Sequence, residues 1–128
     1  MARIWLIVIA LSIGVAVVAA KKFLFSSLTG RPLVFVSDVD SVNAILVAIP
    51  YLCLAFAGTK RLLPWLVGLA LTLSLWCYAL YSGVSYQRNS DGSGANIGLG
   101  LMILASPFFI SPIVLGVHAL QRRAAASR

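Results

Sequence analysis

The amino-acid sequence predicts an all-α membrane protein, a bundle of four transmembrane helices whose second and fourth members are kinked by proline. Three observations carry this expectation. Of the 128 residues, 61% are hydrophobic and only 10% are charged, and a soluble fold this small has nowhere to bury so much apolar surface. The charges are clustered, which leaves uncharged stretches at 4–20, 41–59, 62–87 and 92–121. A helix needs roughly 20 apolar residues to cross the hydrocarbon core, so each stretch supplies one crossing and none supplies two. Finally, Arg3, Lys21, Lys22, Lys60, Arg61, Arg122 and Arg123 flank these runs, where topogenic cations are found.

The first span is expected over 4–22. Its apolar run closes on Val18, Ala19 and Ala20, which also resembles a secretory signal with small residues before a cleavage point. An uncleaved helix is the expectation, because the run is long for a signal and cleavage would leave Lys21 and Lys22 at the new terminus. Within it Ser12, Ala16 and Ala20 recur at four-residue spacing, as do Ala10 and Gly14. These small side chains are the candidate helix-packing residues, since they let another backbone come close.

An outer loop over 23–37 follows. Phe23, Leu24, Phe25 and Leu28 can extend the first helix along the interface, until Thr29, Gly30, Arg31 and Pro32 end it. Ser37 and Asp40 have capping-box spacing, with Asp38 and Asp40 near the positive end of the second helix. That span is expected over 38–58 with a kink at Pro50. Gly58 to Arg61 make a turn, and Pro64 fits the first turn of a third span over 62–82. Trp65 near one end, and Trp76, Tyr78, Tyr81 and Tyr86 toward the other, read as interfacial aromatic belts. A second outer loop over 83–95, with Asp91-Gly92 as its turn, leads to a fourth span over 96–120 and a tail over 121–128. Ser106-Pro107 and Ser111-Pro112 predict a kinked or locally unwound fourth helix. They form a candidate functional kink, and function is expected to concentrate between Gly98 and Gly116.

The formal net charge of +7 raises nucleic-acid binding, which needs a continuous basic stripe with interleaved aromatics. The scattered flanking cations do not form one, so no nucleic-acid partner is expected. Catalysis is equally poorly provided for. The chain has no glutamate, one histidine, two cysteines and three aspartates, and those aspartates fall in loops or at the start of a span. A structural zinc site takes four Cys or His ligands, which His118, Cys53 and Cys77 cannot supply. Cys53 and Cys77 are expected at opposite ends of neighbouring helices, on the order of 10 Å or more apart and unjoined. His118 is expected to favour the negative end of the fourth helix. No catalytic, metal or cofactor-binding residue is assigned, and no cofactor is expected.

Orientation follows from the cations. Placing both termini in the cytoplasm puts Arg3, Lys60, Arg61, Arg122, Arg123 and Arg128 inside, against Lys21, Lys22, Arg31 and Arg88 outside. This favours inward termini in a plasma (bacterial inner) membrane. The expected role is that of a non-catalytic accessory, assembly or interaction subunit in the bilayer, packing against another membrane protein or itself. The alternative is a small oligomeric channel or transporter. No ionisable residue lies deep in the expected spans, so such a pore would use backbone carbonyls of a broken fourth helix.

Overall fold

The computed structural model describes residues 2–30, 32, 38–89 and 97–127. They form four helices: α1 (Ala2–Thr29), α2 (Asp38–Phe56), α3 (Leu62–Asn89) and α4 (Ile97–Ala126). All four are long and apolar enough to cross a membrane.

Three helices outrun the expected spans. α1 continues through the segment assigned to the loop over 23–37, because nothing before Gly30 breaks it. Gly30 then takes a left-handed φ of 67°, its N–H donates to Ser26 O at 2.9 Å, and the helix closes in an αL cap. α3 runs to Asn89, past 82, and α4 runs to Ala126, where Ala124, Ala125 and Ala126 have the highest helix propensity available. α2 instead stops at Phe56. Gly58, at φ 68°, donates to Ala55 O at 3.0 Å, and Thr59 N–H reaches back to Leu54 O at 3.1 Å. That pair of bonds is a Schellman motif, and it satisfies carbonyls that a helix end otherwise leaves bare. The proposed Ser37 cap and the Asp91-Gly92 turn lie outside the described residues.

Neighbouring helices in sequence run antiparallel. Lys22 pairs with Asp40 while Gly14 lies against Ala44 and Ala48, so α2 descends as α1 rises. In cross-section α2 and α3 occupy the near corners of a rhombus. α1 and α4 sit at the far corners, each packed against both of the others and, among the described residues, not backbone to backbone against one another. The core is correspondingly thin. Ala10, Val17, Val47, Tyr51, Trp76 and Ile103 fill the larger part of it, and Leu54, Ile110 and Val114 fill the rest. Large apolar side chains cover the outside of every helix, with Trp5 67%, Phe56 68%, Tyr81 72% and Phe108 79% exposed.

Between apolar helices in lipid no hydrophobic force favours contact, so close packing has to hold them. Gly14 marks a close approach of α1 to α2. A Cβ there would run into the Ala44 carbonyl oxygen and stand 3.2 Å from Ala48 Cβ. Gly116 of α4 has nothing within 4 Å of the same position. The two glycines should therefore respond oppositely to alanine. Gly14→Ala is expected to lose about 1–3 kcal/mol by overpacking, whereas Gly116→Ala gains about 1 kcal/mol of helix propensity. Thermal unfolding in a mild detergent reads both.

Candidate functional site

α1 has two faces of different character. Ala10 and Gly14 are buried, with Val17 and Val18 continuing the same side toward α2 and α3. Ser12, Ala16 and Ala20 are all exposed. The small residues singled out in the sequence thus divide. One pair is buried inside the bundle, with Gly14 against α2, and the other three form a shallow outward stripe. Trp5 and Ile9 stand below that stripe, and Phe23 and Leu24 stand above it, all well exposed.

The fourth helix is continuous across both prolines, so of the kink or local unwinding expected there the unwound alternative does not form. The reason is visible at the first Ser-Pro step. Pro107 has no N–H for the Ile103 carbonyl, and Ser106 Oγ donates to that carbonyl at 2.7 Å instead. The neighbouring serine thereby removes the bare acceptor that would otherwise need a ligand or water. At the second step the hydroxyl is not used in this way, and Ser111 Oγ is buried without a hydrogen-bond partner. Ser106 and Pro107 are buried, whereas Pro112 is exposed.

Polar side chains gather in three tiers. In the middle, Tyr51 is fully buried and its hydroxyl donates to Thr72 Oγ1 at 2.9 Å. Its ring stacks on Trp65 with centroids 6.0 Å apart. Gly68 makes room for this, since a Cβ there would lie 3.3 Å from Tyr51 Cε1 and 3.1 Å from Val114 Cγ1. At one end, Thr59 Oγ1 and His118 Nδ1 are 2.9 Å apart, Trp65 Nε1 donates to Thr59 O at 3.2 Å, and Arg61 donates to the Gln121 carbonyl. His118 therefore ties α4 to the α2–α3 turn. It does not serve a helix terminus, because α4 continues well beyond it to Ala126.

At the opposite end Lys22 forms an ion pair with Asp40, and the Lys21 ammonium lies 4.8 Å from the centroid of the Trp76 ring, a cation–π contact. Two readings change here. Trp76 is only 4% exposed, so it belongs to the core and not to an interfacial belt, while Tyr78 and Tyr81 do face outward. Lys21 is more than a flanking topogenic charge, since it is drawn inward onto a buried indole. Spacing carries part of this, since Lys21 lies seven residues beyond Gly14 and so on the same helix face, but which face turns inward is a tertiary fact. Cys53 and Cys77 are both free thiols. Among the described residues no three His, Cys, Asp or Glu side chains converge.

The two serines of α4 should separate on truncation. Ser106→Ala strands the Ile103 carbonyl and is expected to cost about 1–3 kcal/mol. Ser111→Ala removes an unpartnered buried hydroxyl and adds helix propensity, so stability should hold or rise. Detergent melting curves of the two variants provide the comparison.

Comparison with known proteins returned no matching family model, no matching curated protein and no matching solved structure, and the candidate surfaces are accordingly defined by the geometry of this chain.

Proposed function

We propose that this chain is a small, non-catalytic, multi-pass integral membrane protein that acts as an accessory or assembly subunit, docking through the outward face of α1 on a larger membrane partner or on a second copy of itself. The observation that carries this reading is the exposure of Ser12, Ala16 and Ala20 on one side of α1, between bulky exposed residues at either end. Small side chains on an outward helix face allow a second backbone to approach closely, and in lipid close packing is what associates helices. Among the described residues α1 packs against α2 and α3, and its outward side is left for lipid or a partner. The broken-helix route to a channel is less well supported, since α4 is continuous and Ser106 answers the Ile103 carbonyl. We place both termini on the cytoplasmic side of a plasma (bacterial inner) membrane from the cation distribution, and expect α2 and α4 to bend at Pro50, Pro107 and Pro112.

Ala16→Leu and Val15→Leu test the docking face. Val15 is 62% exposed and already bulky, so its replacement by leucine should leave association unchanged. Ala16→Leu should weaken association by about 5- to 150-fold, corresponding to roughly 1–3 kcal/mol of overpacking, with no loss of melting temperature. Cross-linking in native membranes and co-purification in mild detergent measure the association. An equal effect of both substitutions, or no effect of either, would discard α1 as the docking surface. Solute flux through liposomes holding the chain alone would favour the channel reading.

A further inference from the structure

Beside the Lys21–Trp76 contact a groove of about 550 Å³ opens between the N-terminal turns of α2 and α4. Its walls are apolar apart from Lys21 and Asn43, with Val42 on the α2 side and Leu99, Gly100 and Leu104 on the α4 side. Val42, Gly100 and Leu104 are exposed, so the groove faces sideways, toward what would be the acyl chains.

Asp40 is engaged by Lys22, and among the described side chains at this end two ammonium groups share that one carboxylate. Lys21, which also feels the Asp40 carboxylate, lies over the face of Trp76. A ring face compensates an ammonium only in part, worth about 0.5–2 kcal/mol, and a cation held among apolar walls favours an anionic partner. An ordinary snorkelling lysine turns its head to water, whereas Lys21 keeps its head over a buried indole.

The geometry points to a binding site for one anionic phospholipid in this groove, its phosphate diester held by the Lys21 ammonium and the Asn43 amide and one acyl chain lying along Val42, Gly100 and Leu104. The two halves of the groove match the two halves of such a molecule. A free phosphate would leave the apolar walls uncovered, and a zwitterionic lipid would bring its own cation toward Lys21. Gly100 is the position at which the chain is left room, since nothing lies within 4 Å of where its Cβ would stand. The inference depends on the chain residing in a membrane and is independent of what α1 docks against.

The test uses the full-length protein, delipidated in a neutral detergent and titrated with phosphatidylglycerol or phosphatidylcholine of identical acyl chains, with bound lipid counted by native mass spectrometry. Phosphatidylglycerol should be retained preferentially. Lys21→Gln should lower its retention about fivefold, the worth of one cation near an anionic headgroup, while Lys21→Arg preserves it. Gly100→Leu obstructs the groove without touching the core and should lower retention by a similar factor, with helical content unchanged. Ala16→Leu should bind lipid as the parent does, which separates this site from the docking face. Equal retention of the two lipids, a preference that survives both Lys21→Gln and Gly100→Leu, or displacement of phosphatidylglycerol by inorganic phosphate would overturn the assignment.

Discussion

The contact of Gly14 on the Ala44 carbonyl sets the rotation of α1 about its own axis, and much of what distinguishes this bundle depends on that rotation. With Gly14 turned inward, helical periodicity carries Ala10, Val17 and Lys21 to the same side. Lys21 then meets Trp76 across the bundle, and Lys22, one position on, reaches Asp40 of α2. The same rotation turns Ser12, Ala16 and Ala20 outward. A side chain at residue 14 would push α1 away from α2 and disturb all of these together, because packed helices have few ways to absorb added volume.

A second constraint is polar satisfaction in an apolar setting. Unpaired backbone groups cost several kcal/mol in hydrocarbon, and this chain answers several of its own locally. Gly30 and Gly58 close their helices on their own carbonyls, and Ser106 compensates for Pro107. The side chains that do reach between helices are neutral in the middle of the bundle, where Tyr51 meets Thr72. Charged groups appear toward the ends, as Lys22 with Asp40 and Arg61 with Gln121. That ordering suits a molecule whose middle lies in hydrocarbon and whose ends lie among headgroups.

Much of this was legible in the residues. Uncharged length gave the number of helices, and Gly30, Gly58 and Pro64 marked where the chain turns, because each residue acts through its own backbone restriction. Helix ends were less legible. Phe23 to Leu28 and Gly83 to Asn89 are acceptable to a helix or a loop, and packing such as Phe25 against Gly83 is a tertiary fact that no local pattern records. The small residues of α1 could be found as a set. Their division into an inner pair and an outer stripe could not, because that requires knowing where Ala44 lies. The prolines of α4, read alone, suggest a kink or local unwinding, whereas the serine before Pro107 answers the freed carbonyl through one side-chain bond in a continuous helix. Trp76 and Lys21 were each assigned a membrane-interface role from composition, and only their meeting across the bundle shows that they act together.

Docking through α1 and lipid capture at Lys21 both require helices that cross the bilayer in alternating directions, which all four are long and apolar enough to do. Ser27, Lys60, Asn89 and Ser127 are exposed, and successive members of that series are separated by one helix each. Single cysteines placed at these positions, with Cys53 and Cys77 replaced by alanine, can be labelled with an impermeant maleimide from either side of sealed vesicles. The predicted result is that Ser27 and Asn89 label from one side and Lys60 and Ser127 from the other. Labelling of all four from a single side, or of Asn89 and Ser127 together, would contradict it.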